Sequence, residues 1–202
     1  MSTQTISKRE TILKVSEEIF ATKGFDGARV DEIAKKANVN KALIYYYFKS
    51  KEDLLDKIIK NRIDEIIKFS EIAKREALNL KPGETEMYVS EKVIKLIHEH
   101  RNFIKVVLSE SLKSNSKDQS MFAIADLFFM RVRKGLQNKG DNLKSDDEGR
   151  FIYFFFILMP ISAFSIFHQK WIEHYKKDAE RDNKLFINAL KSTVKHLLCE
   201  DM

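Results

Sequence analysis

The chain has 202 residues, a formal net charge of +6 and one cysteine, Cys199, so intrachain disulfides and cysteine-based zinc sites are excluded. Its 44% of apolar residues exclude a globally disordered chain, and its 6 Gly and 2 Pro argue against a β-sandwich or barrel with many tight turns. The single cysteine and the polar first residues, which lack a secretory signal, predict a cytoplasmic protein.

Apolar residues recur three and four positions apart along nearly the whole chain, which is the spacing of amphipathic helices. We therefore predict an all-α fold with about nine helices. A capping box formed by Ser7 and Glu10 starts the first helix, and Pro82 with Gly83 ends the long fourth helix. The predicted helices span roughly residues 8–23, 30–37, 41–47, 51–78, 84–98, 102–113, 117–139, 146–168 and 182–199.

A locally basic segment coincides with the short helices near the N-terminus. Between Lys35 and Lys51 there are five lysines and no acidic residue, although the net charge of the whole chain is mild. Lysines clustered in this way can contact DNA phosphates, but runs of lysine are more often simply solvated. The five are Lys35, Lys36, Lys41, Lys49 and Lys51.

Residues 29–48 have the pattern of a helix-turn-helix. The small residue Ala34 lets two helices cross closely, and Asn38 suits the left-handed conformation of a three-residue turn. Asn40 is placed to cap the second helix. That helix would expose a polar, aromatic and basic face that fits a DNA major groove. The face comprises Lys41, Ala42, Tyr45, Tyr46 and Tyr47.

Five stretches extend this pattern on both sides: FATKGF at 20–25, VDEIA at 30–34, ANVN at 37–40, IYYYF at 44–48 and SKEDL at 50–54. Together they resemble the N-terminal domain of the TetR family of transcriptional regulators. The resemblance implies a DNA-binding three-helix domain at residues 6–66 and a larger helical domain for effector binding and dimerisation at residues 67–202. It also implies a homodimer that binds a palindromic operator, usually as a repressor, and that a small hydrophobic effector releases.

The resemblance assigns roles to individual residues of the helix-turn-helix. Phosphate contacts are expected from Arg29, Asn40, Tyr45, Tyr47 and Lys51. Base-edge contacts are expected from Lys41, Ala42, Leu43 and Tyr46. The alternative interpretation is that the tyrosines cover the core and that the lysines are solvated surface residues.

The sequence departs from the family pattern at four positions. The family usually has Ser or Thr where Arg29 stands, Gly where Asn38 and Ala42 stand, and often His where Tyr47 stands. Arg29 cannot cap the first helix of the motif, but its charge could reach a phosphate. Asn tolerates the left-handed turn, and Tyr47 retains a hydroxyl group for a phosphate contact.

An uncharged stretch of 17 residues runs from Phe151 to Phe167. A membrane-spanning helix needs about 20 apolar residues, whereas a helix that is apolar all round can instead be covered by a partner chain. We therefore predict a dimer interface here, with a membrane-associated helical protein anchored by residues 151–167 as the alternative. The predicted interface residues, including a second stripe on the last helix, are Phe151, Phe155, Leu158, Phe186, Leu190, Val194 and Leu197.

Nine of the fifteen phenylalanines lie between residues 122 and 167, where they could line an apolar effector pocket or pack the core. His98 and His100 point about 200° apart on a helix, so no metal site is expected. No catalytic or cofactor-binding motif is recognisable, so we expect neither enzymatic activity nor a cofactor. The candidate pocket residues are Phe103, Phe122, Phe129 and Phe155.

Overall fold

The computed structural model describes residues 7–113, 120–138 and 140–199. This part of the chain is all-α, as predicted: it has nine helices, and its only β-type pairing is an isolated bridge between Leu143 and Cys199. The helices are α1 (Lys8–Gly27), α2 (Val30–Lys36), α3 (Lys41–Tyr47), α4 (Lys51–Ala77), α5 (Pro82–Glu99), α6 (Arg101–Ser111), α7 (Ser120–Gln137), α8 (Asp146–Tyr175) and α9 (Ala179–Leu198).

Capping residues explain several helix boundaries. Ser7 Oγ accepts the Glu10 N–H at 3.2 Å while the Glu10 carboxylate accepts the Ser7 N–H at 3.0 Å, so the predicted capping box is confirmed. The predicted break at Gly24 is confirmed: its backbone is non-helical, with φ +73° and ψ 164°, and a short helical continuation follows the kink to Gly27. The last helix begins at Ala179 rather than near residue 182, because the Asp178 carboxylate accepts a backbone N–H at 2.7 Å and caps it.

Two other predicted helices differ in extent. The helix predicted at about 146–168 continues to Tyr175, where Lys176 adopts a left-handed conformation at φ +51° and ends it. Residues 117–119 and residue 139, at the two ends of the helix predicted at 117–139, lie outside the described residues.

One compact unit contains α1, α2, α3, the first part of α4 and most of α6, from residues 7–69 and 102–113 of the described chain. Its core is a cluster of fully buried side chains at the crossing of α1 with the helix-turn-helix. The Val106 side chain of α6 belongs to this cluster, which the sequence did not predict. The largest buried members are Ile12, Phe20, Ile33, Phe48, Leu54 and Ile58.

The second compact unit contains the end of α4, α5, α7, α8 and α9. Its core joins Phe129 of α7 to Tyr153 and Ile157 of α8 and to Leu198 of α9. Gly149 is essential to this packing, because a Cβ atom there would lie 2.8 Å from the Phe129 ring.

The helix α8 contains a π-helical turn from Tyr153 to Leu158. Such a turn inserts one extra residue and shifts the following side chains by about 100° around the axis. In a regular α-helix Phe151 and Phe167 would therefore lie about 160° apart, whereas the shift reduces their separation to about 60°. Phe151, Phe155, Phe167 and Trp171 are all about half exposed, while Ser165 and His168 are buried against the protomer. The turn therefore aligns one exposed apolar face along the whole helix.

Candidate nucleic-acid interface

The helix-turn-helix has the predicted geometry. Asn38 adopts φ +52°, so the predicted left-handed turn residue is confirmed, and the Val39 N–H donates to the Ala34 carbonyl at 3.0 Å to close the turn. Ile44 of α3 is buried in the core of the unit together with Ala34 of α2. The opposite side of α3 is consequently left to solvent.

Asn40 caps α3, as its position predicts. Its side-chain oxygen accepts the Leu43 N–H at 2.7 Å, which fixes the orientation of the amide. The amide nitrogen of an asparagine held in this way keeps its two N–H donors. Since Asn40 is exposed, these donors can face a DNA phosphate at the start of α3.

The exposed face of α3 contains most of the residues predicted to contact DNA. Lys41 and Ala42 are exposed, and Tyr46 is the most prominent side chain, with 80% of its surface accessible. Tyr45 and Tyr47 are exposed to a smaller extent, and the Tyr47 ring meets the Tyr46 ring edge-on with 5.2 Å between centroids. Leu43 is half-buried, which leaves it less surface to offer to a base.

Arg29 precedes α2 and is exposed. Its side chain makes no cap hydrogen bond, while its carbonyl accepts the N–H groups of Glu32 and Ile33 at 3.1 Å each. The structure therefore confirms that Arg29 does not replace a capping Ser or Thr. The guanidinium stays available for an anionic partner.

Acidic residues of α1 and α2 partly neutralise the basic segment. Lys36 pairs with Glu18 at 3.0 Å and Lys41 pairs with Asp31 at 2.9 Å. The lysine count between residues 35 and 51 missed these partners because both acids precede that stretch. Lys35 and Lys49 remain exposed and add to the positive charge of this surface.

Lys51 has an internal role that the sequence did not predict. Its Nζ donates to the Phe25 carbonyl at 2.8 Å and to the Ala28 carbonyl at 3.3 Å, and it lies 4.4 Å from the centroid of the Phe25 ring. These contacts join the start of α4 to the connection between α1 and α2. A phosphate contact by Lys51 would compete with all of them, so we omit Lys51 from the proposed phosphate contacts.

Arg9 is a basic residue near this surface that sequence reasoning missed. Its guanidinium lies over the Phe48 ring, 5.5 Å from the centroid, which places it beside the end of α3. No local pattern could have revealed this, because the two residues are far apart in the sequence and meet only through the packing of α1 on the helix-turn-helix.

A partly buried ion pair joins α1 to α4. Arg62 Nε donates to the Glu17 carboxylate at 2.5 Å, and its Nη1 reaches Glu65 at 2.5 Å. Burial raises the pKa of Glu17 despite the opposing effect of the Arg62 charge. The pair therefore fixes α4 against α1 while one of its members carries a desolvation cost.

The predicted pocket residues fall into two classes. Phe103 is buried in the first unit and Phe129 is buried in the core of the second, so both have packing roles. Phe122 and Phe155 are more than half exposed and are linked through the Phe154 ring, with centroid separations of 5.3 and 4.9 Å.

A cavity of about 420 Å³ lies elsewhere in the second unit, and none of the four predicted phenylalanines lines it. Its wall is formed by aliphatic side chains from α5, α7 and α9, together with a few polar groups. The aliphatic residues are Val89, Val93, Leu136, Ile187, Leu190 and Val194. Periodicity could not identify this cavity, because the same apolar residues would equally fill a solid core.

The predicted dimer residues are also divided by the structure. Phe151 and Phe155 lie on the exposed face of α8. Four others pack against the core of their own protomer, so they offer a second chain much less surface, and the Phe186 ring stacks on Phe164 with 3.9 Å between centroids. The four are Leu158, Leu190, Val194 and Leu197.

No group of three potential metal ligands occurs among the residues that the structure describes. His98 and His168 do come together, with ring centroids 5.7 Å apart, but they stack instead of converging on a common point. Burial lowers the pKa of His168, and the neighbouring His98 acts in the same direction.

Comparison with known proteins identifies the helix-turn-helix. The family described as bacterial regulatory proteins, tetR family, matches residues 12–58, from α1 through α3 into α4. Residues 12–58 are a domain of the TetR family. Several of the chain's relatives are described as helix-turn-helix transcriptional regulators.

The curated relatives match only part of this chain. The chain is 32% identical over 108 residues to the Probable HTH-type transcriptional regulator YttP of Bacillus subtilis, and 33% identical over 61 residues to IcaR of Staphylococcus epidermidis, a negative transcriptional regulator of a biofilm operon. These matches cover 52% and 30% of this chain. The chain spans only 51% of the length of YttP and 33% of that of IcaR.

Solved structures extend the likeness to nearly the whole fold. A TetR-family regulator from Shewanella sp. PV-4 covers 96% of this chain with a TM-score of 0.60 and 16% identity, and itself aligns over its full length. A regulator from Aquifex aeolicus VF5 covers 92% with a TM-score of 0.61 and 22% identity, over 98% of its own chain. At these identities the likeness concerns the fold alone.

Proposed function

We propose that this chain is a ligand-responsive TetR-family repressor that binds a palindromic operator as a homodimer in the cytoplasm and has no enzymatic activity. The observation that carries the proposal is the exposed face of α3, where Tyr46 and Lys41 project from a helix whose other side is anchored in the core. A face of this kind fits the major groove. Two of the matched relatives are described as a negative regulator and a repressor, which supports repression.

The side chains divide between base and phosphate contacts according to their position. Tyr46, Lys41 and Ala42 face outward from α3 and can reach base edges, and Leu43 contributes its exposed edge. The polar groups that surround this face are placed for the sugar-phosphate backbone, which fixes the register of the helix in the groove. They are Arg29, Asn40, Tyr45 and Tyr47.

The aligned apolar face of α8 supports the homodimer. Four large side chains, Phe151, Phe155, Phe167 and Trp171, are about half exposed on one protomer, and a large exposed apolar face is typical of an interface. A second copy presents the same face, so a two-fold axis covers both at once. The two α3 helices would then be related by that axis, which requires two inverted half-sites in the operator.

The aliphatic cavity of the second unit supports a small hydrophobic effector. Its volume of about 420 Å³ and its mostly apolar wall suit such a ligand. The long helix α4 begins next to the helix-turn-helix and ends in the second unit. An effector that prefers one tilt of α4 would favour the state that does not bind DNA, in proportion to its difference in affinity for the two states.

Unbiased selection of bound DNA tests this function directly. Purified chain is mixed with random duplex DNA, and the bound fraction is sequenced after several rounds. We expect enrichment of an inverted repeat, and we expect candidate hydrophobic ligands to release it. Lack of any enriched sequence would contradict operator binding, and enrichment of a single unrepeated half-site would contradict the dimer.

The membrane-associated alternative rests on α8. Within the described residues α8 is the one helix long and apolar enough to cross a bilayer, and 33% of its most apolar stretch is buried in the protomer. One side of α8 packs against α7 and α9, so only its exposed face could contact lipid. A single helix that spans a bilayer is surrounded by lipid and is apolar on all sides. Cell fractionation without detergent distinguishes the two: recovery as a soluble dimer excludes the anchor, and recovery only in the membrane fraction excludes our proposal.

A further inference from the structure

An ion pair crosses the helix-turn-helix from α2 to the recognition helix α3. Lys41, the first residue of α3, places its Nζ 2.9 Å from one carboxylate oxygen of Asp31 and 3.1 Å from the other. The hydrogen bond to Asp31 raises the pKa of Lys41. In the DNA-free protein, the Lys41 ammonium on the exposed face of α3 is therefore already paired with the Asp31 carboxylate.

We propose that Asp31 is a specificity-determining residue, which holds the Lys41 ammonium away from DNA phosphates and leaves one of its donors for a matching base edge. The inference rests on the proposed operator binding and adds a residue that does not itself touch DNA. Asp31 acts through Lys41, so it is a positioning residue.

The physical reason is the difference between phosphate and base contacts. A free lysine beside DNA gains affinity from any phosphate by releasing counterions, whatever the sequence. A lysine that already has a carboxylate partner must exchange that partner for a phosphate, and little is gained. An ammonium has three donors and Asp31 accepts two of them, so Lys41 can donate the third to a guanine acceptor in the major groove without losing its carboxylate partner. Asp31 therefore weakens binding to random DNA more than binding to the operator.

The first turn of α2 provides a matched control for this effect. Glu32 follows Asp31 directly and has the same charge, but it pairs with Lys23 of α1 at 2.6 Å and not with a residue of α3. Substituting Glu32 removes one negative charge from the same helical turn without releasing Lys41. Any general gain from reduced repulsion of DNA is therefore common to both substitutions.

The experiment compares Asp31→Asn and Glu32→Gln in the wild-type and in a Lys41→Met background. Each protein is titrated with a duplex of random sequence and with the duplex most enriched by selection, over a range of salt concentrations. For Asp31→Asn we expect about two- to fivefold tighter binding to the random duplex, the range for an exposed ion pair. The logarithmic salt dependence on that duplex should steepen by about one unit, and the preference for the enriched duplex should fall.

The Lys41→Met background decides the matter. All three changes due to Asp31→Asn should disappear there, whereas any effect of Glu32→Gln should be the same with and without Lys41. If Asp31→Asn acts equally in both backgrounds, or leaves the salt dependence unchanged with Lys41 present, the inference is wrong. Matched thermal unfolding curves exclude a folding defect, and an exposed Asp31 favours that match. If the wild-type chain enriches no DNA sequence at all, it is the proposed function that fails.

Discussion

The Lys51 ammonium donates a hydrogen bond to the Phe25 carbonyl at 2.8 Å and lies over the ring of the same residue. One side chain at the start of α4 thus holds the connection between α1 and α2, directly before the helix-turn-helix. The contact combines a charge-assisted hydrogen bond with a cation–π interaction, both of which gain strength where water is partly excluded.

Replacement of Lys51 by alanine should therefore act on folding. We expect Lys51→Ala to lower the free energy of unfolding by about 1–2 kcal/mol, because the carbonyls of Phe25 and Ala28 lose a charged donor. Denaturant unfolding measures this, and Lys49→Ala, at an exposed neighbouring lysine, is the control that should change it little. The salt dependence of DNA binding by Lys51→Ala should stay as in the wild type. A slope lower by about one unit would instead show that Lys51 contacts a phosphate.

The partly buried pair of Arg62 and Glu17 predicts a pH-dependent defect. Arg62→Leu leaves the Glu17 carboxylate buried without its partner, which should lower the free energy of unfolding by about 2–3 kcal/mol at neutral pH. The cost is less than for a fully buried pair, because the Arg62 side chain is 26% exposed. Burial already raises the pKa of Glu17, and loss of the Arg62 charge raises it further. The folded state then holds its proton more tightly than the unfolded state does. The stability of Arg62→Leu relative to wild type should therefore recover as the pH falls through the folded-state pKa of Glu17. The defect should reappear as the pH rises through the same pKa.

A double variant separates this effect from simple loss of packing. Arg62→Leu combined with Glu17→Gln has no carboxylate to protonate, so its stability relative to wild type should lack the recovery at low pH. Denaturant melts of the wild type, Arg62→Leu, Glu17→Gln and the double variant across a pH series measure the difference. The same recovery in the double variant would assign the pH dependence to another group.

Tyr46 should determine sequence preference and contribute little to stability. With 80% of its surface exposed, Tyr46→Ala should leave the unfolding curve nearly unchanged. We expect discrimination to fall by about 1 kcal/mol, roughly fivefold, at one or two positions of each half-site. Selection of bound DNA with the variant measures this, and Tyr46→Phe shows whether the hydroxyl group or the ring is responsible. Equal weakening on all sequences would rule out a base contact by Tyr46.

The helix-turn-helix could be predicted from the sequence because its determinants are local. The capping of α3 by Asn40 and the left-handed turn at Asn38 each depend on a few neighbouring residues. The partners of the lysines depend instead on how the helices cross. Asp31 lies ten residues before Lys41, and Phe25 lies 26 residues before Lys51, so no window of helical periodicity joins them.

The second unit was harder to predict for a different physical reason. An apolar stripe shows that a helix face is buried but does not show whether the cover is its own protomer or a second chain. Leu190 and Val194 form such a stripe, and they pack against their own core. The π-helical turn of α8 adds a further difficulty, because one inserted residue changes the face that every later side chain occupies.

The aligned face of α8 makes the last prediction specific. Phe167→Lys should give a folded monomer, because the Phe167 side chain is 59% exposed in the protomer and contributes little to its core, while a charge on this face opposes its burial by a second copy. Gln169→Lys is the matched control: it introduces the same charge about 200° away around the helix, within reach of Glu173. Sedimentation should find the control dimeric and Phe167→Lys monomeric.

Because only a dimer presents two α3 helices at once, Phe167→Lys should also bind a single half-site about as well as wild type while losing its preference for the inverted repeat. A dimeric Phe167→Lys protein would place the interface on another surface.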